Sequence, residues 1–433
     1  MKSFFLFVAC LFGTICSLAQ FSRDSISTDF VLYQRRIDFD KHMRDRIITA
    51  TFAEPLDSNN EDKYREACWA ISQFLFRSAE IEKGFSTLFT QYATLETSTK
   101  RALLEAVFGV YPIEYKKRIQ QLIQDEKTPK LFAMQAVYLF RLDNSTVNTN
   151  VLLKLLSQQF NNYHTQPLLH ELENYLLHQE TFVAQPTPDL ASLFFQQKKT
   201  GQKMIYSFQR WNRDYPGLAI IQNADGNFCK DSNGQLLVFE QLARSASNLP
   251  YFITNGSTPQ GIYSIQGTEV SHNNFIGPTP NIQLVMPNET DSLFWHTPID
   301  IVKDPLTNYL ELLPESWRAY SPITESFFAG KAGRTEVIAH GTTIDPDYFK
   351  DKPYYPLTPT MGCLCAKETW NIFNGKFLQS EQFNLVNSFL STPGHTGYLW
   401  VINLDNQQKV VSRNDIEKMV RDYELKKQVP KKN

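Results

Sequence analysis

Along residues 20–200 apolar side chains recur at three- and four-residue spacing. The pattern is plain in 102–110 (ALLEAVFGV), 113–124 (IEYKKRIQQLIQ), 129–142 (PKLFAMQAVYLFRL) and 149–160 (TNVLLKLLSQQF). This is the period of amphipathic helices. Pro112 and Pro129 fall near helix starts, where a missing backbone N–H costs nothing. Helices beginning near 102 and 131 recur at about 30 residues, within the range of stacked helical hairpins. The expectation is an all-α, HEAT-like N-terminal domain over 20–200. It is either a scaffold that docks a partner or polymer, or a bundle that covers the second half.

Past residue 200 the pattern changes. Residues 20–200 hold only two glycines, Gly84 and Gly109, whereas residues 201–433 hold 15. Glycine is costly inside helices and common in turns. Pro186-Thr187-Pro188 and Gly201 mark a boundary near 180–215. Short runs rich in Ile, Val, Tyr, Phe and Leu follow, bounded by Asn, Gly, Pro and Ser. They are 218–222, 235–241, 251–254, 262–266, 282–286, 336–339 and 398–404. Helices are expected over about 365–373, 380–390 and 413–427. The fold class predicted is α+β overall, the helical domain being followed by a mainly-β domain over 204–410 and a C-terminal helix and basic tail over 411–433. Residues 288–332, with Trp295, Trp317, Tyr320, Phe327 and Phe328, form an insertion that is either a lid over a groove or packing.

Charge and cysteine content narrow the function classes. Lys2 is followed by an apolar run to Cys16 and a small-x-small site at Ser17-Leu18-Ala19, the layout of a secretory signal peptide over 1–19. No later stretch is long and apolar enough for a membrane span, so the expectation is an exported protein of the periplasm or cell envelope. The net charge of −2 carries no nucleic-acid footprint. Cys68, Cys229, Cys363 and Cys365 lie beyond the leader, too few for a disulfide framework. His164, His170 and His178 read as surface or interface groups of the helical half.

Candidate chemistry concentrates in 334–368. A strand-like run ends at His340-Gly341-Thr342, a Pro/Tyr-rich loop follows, and the stretch closes on Thr360-Met361-Gly362-Cys363. A thiol is a nucleophile when ionised and exposed, and an imidazole can take its proton. Backbone N–H groups around Gly362 and Cys363 are candidate oxyanion donors. Cys365 is read as a buried thiol. A metal held by His340, Cys363 and Cys365 lacks an evident fourth ligand.

Upstream, Gly256-Ser257-Thr258-Pro259-Gln260-Gly261 precedes a strand. With His340-Gly341-Thr342 and Thr360-Met361-Gly362-Cys363 in that order, the chain resembles the L,D-transpeptidase (YkuD-like) catalytic domain over about 204–410. The resemblance implies a fold and a reaction. Cys363 would be the nucleophile and His340 the base. The Met361 and Gly362 backbone would hold the oxyanion, and Thr258, Gly341, Thr342 and Thr360 would border substrate. The substrate would be peptidoglycan stem peptides, attacked with no metal and no organic cofactor. The family's histidine two residues before the cysteine is Met361 here, and its polar residue two after is Cys365. The acceptor stays open between a crosslinking amine and water, which would make a peptidase. A catalytically inactive wall-binding module is the remaining alternative.

Overall fold

A computed structural model describes residues 21–428; the predicted signal peptide and the last residues of the basic tail lie outside them. The first half is helical: α1 (Tyr33–Lys41), α2 (Thr51–Ala53), α3 (Glu61–Phe74), α4 (Ala79–Thr90), α5 (Thr97–Val110), α6 (Lys116–Leu122), α7 (Pro129–Leu142), α8 (Thr146–Gln159), α9 (Pro167–Ala184) and α10 (Leu190–Thr200). Local chemistry sets the ends. The Ser78 and Ser145 hydroxyls cap α4 and α8, and Pro129 and Pro167 open α7 and α9. Gly201 at φ +61° stops α10. Alternate helices pack α3 on α5, α5 on α7 and α7 on α9.

The second half holds ten strands: β1 (Lys203–Gln209), β2 (Gly217–Gln222), β3 (Phe239–Leu242), β4 (Gly261–Glu269), β5 (Asn281–Val285), β6 (Ile338–His340), β7 (Leu364–Ala366), β8 (Glu368–Trp370), β9 (Phe377–Ser380) and β10 (Gly397–Asn403). Eight close into a barrel of order β1-β10-β4-β5-β6-β7-β3-β2, and β8 with β9 forms a separate hairpin. The pairs β1–β10 and β6–β7 are parallel; the other barrel pairs are antiparallel. The helices of this half are α11 (Asp291–Phe294), α12 (Pro305–Glu311), α13 (Glu325–Lys331), α14 (Glu381–Leu390) and α15 (Arg413–Gln428).

Both faces of the barrel are covered. Ile205, Ala219, Tyr263, Ala339, Leu364 and Leu399 share one apolar cluster with Leu385 and Phe389 of α14. The alternate positions Met204, Tyr206, Phe208, Ile220 and Trp400 pack with α10, α12 and α15. Strands buried on both sides read as continuous apolar runs, which is why every residue of β2 and β10 is buried.

With 47 % helix and 14 % strand the chain is α+β. Three expectations are corrected. The closed barrel is not the L,D-transpeptidase fold, because short motifs fix local turns and leave the strand order free. The helix expected over 365–373 is strands β7 and β8, held by pairing with β3, β6 and β9. The strand expected over 251–254 is a turn closed by Ile253 N–H on the Pro250 carbonyl; its apolar residues Phe252 and Ile253 sit in the helical core. Within the insertion, Trp317 is fully buried and donates its indole N–H to the Asp189 carbonyl and the Ser192 hydroxyl. Tyr320 and Phe327 are buried in the same apolar cluster, and Trp295 and Phe328 pack against it partly buried.

Candidate functional site

Strands β6 and β7 lie side by side in parallel, with Ala339 opposite Leu364 and His340 opposite Cys365. The 341–362 loop is the crossover between them. Paired residues of parallel strands share a face, and so do residues two apart. His340 therefore shares a face with Cys365, and Cys363 lies in the turn immediately before β7.

His340 is buried, and its Nδ1–H donates to the Gly341 carbonyl. That bond leaves Nε2 as the basic nitrogen. Burial pushes the imidazole down to about 4, with the Gly341 bond opposing, so the ring is neutral at neutral pH. Cys363 is half-buried and unpaired, like Cys68, Cys229 and Cys365. Its sulfur accepts the Ile338 N–H at 3.5 Å and points its own hydrogen at the Glu336 carbonyl, 3.7 Å away. Glu336 adopts φ +60°, a conformation strained for a side chain with a Cβ. Burial raises the Cys363 thiol; the Ile338 amide and the Arg334 guanidinium pull it back. The resting pair is thus thiol and imidazole, and among the described residues no hydrogen bond joins them.

The other predicted residues hold the backbone around sulfur. Thr258 is buried and donates to the Gly362 and Cys363 carbonyls at 3.0 and 3.2 Å. Thr360 donates to the Cys363 carbonyl and accepts the Gly362 N–H, both at 3.0 Å. The Gly362 amide, an expected oxyanion donor, is already engaged. The Met361 amide has no acceptor among the described residues, and the Met361 side chain is exposed. Thr342 is buried: its amide donates to Glu368 at 2.7 Å, its carbonyl accepts the Trp370 indole N–H, and its hydroxyl accepts that of Thr358. Cys365 lies in the core, its thiol near Thr358 Oγ1 and pushed up to about 12 by burial.

Two supports of the candidate site escaped the sequence reading, and they sit at the two ends of the 334–368 stretch. Arg334 is buried and spends its guanidinium on the carbonyls of Tyr251, Gly256 and Ser257, tying down the loop that carries Thr258. A Cβ on Gly362 (φ +114°) would overlap this guanidinium. Glu368 accepts the Thr342 amide and the Ser380 hydroxyl, and its carboxylate occupies the space where a Cβ of Gly341 would go. Burial lifts Glu368 to about 7 against those donors. In sequence both are ordinary charged residues beside short strands, and nothing in composition marks them as buried. Behind Thr258, where the helical half meets the barrel, lies a cavity of ≈ 210 Å³ bordered by Arg141, Tyr175, Arg213, Tyr251, Ser257 and Glu325.

No family model, no curated protein and no solved structure matches this chain.

Proposed function

We propose that this protein is an exported cysteine acyltransferase of L,D-transpeptidase type that acts on peptidoglycan stem peptides through Cys363. One observation carries the reading. Three segments far apart in sequence meet around the turn that carries Cys363: Thr258 bonds the Gly362 and Cys363 carbonyls, and His340 ends the strand paired with β7, which Cys363 immediately precedes. The reading rests on these residues and not on the barrel.

In the proposed reaction His340 Nε2 takes the thiol proton as sulfur attacks the acyl carbon of the stem peptide. The oxyanion forms beside the Met361–Cys363 turn and the buried Arg334 charge. Collapse expels the amine, which leaves with the proton from His340, and a thioester remains on Cys363. A second stem amine then resolves the thioester. Water in its place would make the same centre a peptidase. The Arg141-bearing cavity beside Thr258 suits the carboxylates of such a peptide. The helical half, stacked helix on helix, is proposed as a HEAT-like docking scaffold.

The test is intact-mass analysis after exposure to a carbapenem. The expected result is one covalent adduct per chain, lost in Cys363→Ser and retained in Cys365→Ala. A parent protein that stays unmodified, or an adduct that survives Cys363→Ser, overturns the proposal. Digestion of purified muropeptides then separates crosslinked from cleaved products by mass.

A further inference from the structure

A second cluster of metal-type donors lies in the helical half. His164 belongs to the short 3-10 turn Tyr163–Thr165 that leads into α9, while His170 and Glu173 sit one turn apart on that helix. Side chains three apart on a helix project from the same face. One donor atom from each of the three residues lies within 4.8 Å of the other two. Glu173 Oε2 is 3.1 Å from His164 Nδ1 and 3.8 Å from His170 Nδ1. Tetrahedral ligands at zinc distances stand about 3.4 Å apart, so these two separations bracket the edge of a metal polyhedron.

Two further observations point to a ligand. His170 Nδ1 is shielded from solvent yet has no hydrogen-bond partner among the described residues. The other Glu173 oxygen accepts the Tyr163 hydroxyl at 2.9 Å, and the Tyr163 ring lies against His164 with centroids 3.8 Å apart. Such contacts fix ligand orientation in metal sites. We propose that His164 Nδ1, His170 Nδ1 and a Glu173 carboxylate oxygen bind one divalent transition-metal ion of the Zn²⁺ class, with solvent at the remaining position. His164 is largely exposed, which supplies that open side. Bound metal would pin the 3-10 turn to α9.

Isothermal titration of the tag-free, EDTA-stripped exported chain with ZnCl₂ tests this. One ion per chain is expected. His164→Ala, His170→Ala and Glu173→Gln should each weaken it by about tenfold or more, whereas His178→Ala and Cys363→Ser should leave it unchanged. Co²⁺ bound in place of Zn²⁺ should show ligand-field bands without thiolate charge transfer. Melting curves of each variant in EDTA confirm that it is folded, and Glu173→Gln preserves side-chain shape. Absence of binding, undiminished binding in the His164→Ala/His170→Ala double variant, or loss of binding on Cys363→Ser overturns the proposal.

Discussion

Gly341 approaches the Glu368 carboxylate so closely that a Cβ would overlap it, and the carbonyl of the same residue holds the His340 imidazole. Gly341→Ala must displace either Glu368 or the strand end, at about 1–3 kcal/mol for overpacking. The expected result is a lower Tm together with slower acylation. A Glu368→Ala background should recover part of the stability, and equal losses in both backgrounds would contradict the contact. The imidazole itself predicts a pH profile. Its folded value of about 4 lies below the ordinary 6.5. A depressed histidine contributes stability above about 6.5 that is lost as pH falls through about 4, because the unfolded chain takes up the proton first. The acid limb of the acylation rate, measured as adduct formation against pH, should therefore fall near 4. A limb at 6.5 would mean that His340 is solvated or is not the base.

At the scale of elements, the parallel β6–β7 pair does the positioning and Arg334 braces it. Its three carbonyl acceptors lie in the 250–257 loop, and its charge lowers the neighbouring thiol. Arg334→Met strands those buried carbonyls, at about 1–3 kcal/mol each if unrelieved. It should also move the alkylation profile of Cys363 with iodoacetamide to higher pH; Arg334→Lys keeps the charge, and should restore the profile more than the stability. An unmoved profile in Arg334→Met would reduce Arg334 to a loop anchor. The same elements show what the sequence could and could not reveal. Long periodic helices such as α7, and strands such as β4 and β10, were legible because one residue pattern dictates each. The strands β7 and β8 are three residues each, and their form comes from partners far along the chain, so local propensity over 365–373 misled. Cys363, His340 and Thr258 were legible as motif residues, but that the Thr258 and Thr342 hydroxyls bond the protein itself follows only from the packed loop.

At the scale of the whole molecule, the helical half and the barrel half share a core. Leu242, Leu249, Phe252, Ile253, Ile344, Phe349, Tyr354 and Leu357 lie in one apolar cluster with Phe74, Phe85, Phe132 and Leu169 of the helices. Polar contacts cross the same seam: Tyr251 donates its hydroxyl to Glu171, and Asn255 donates to Glu105. Both belong to the segment that Arg334 fastens and that leads into Thr258, so the loop beside the candidate cysteine site lies against the helices. Within 250–257 the Ile253 and Gly256 amides close turns on the Pro250 and Ile253 carbonyls, and Phe252 and Ile253 are fully buried. Phe252→Ala removes an aromatic ring from this seam and should cost about 3–5 kcal/mol. Calorimetry of the parent should show one cooperative transition that includes the barrel, and the variant should shift that whole transition downward. Carbapenem acylation at 25 °C should slow in step, because a loosened loop leaves the Gly362 and Cys363 carbonyls without their Thr258 bonds. Two separate transitions, with only the helical one moved and acylation untouched, would show that the seam does not transmit order to the site.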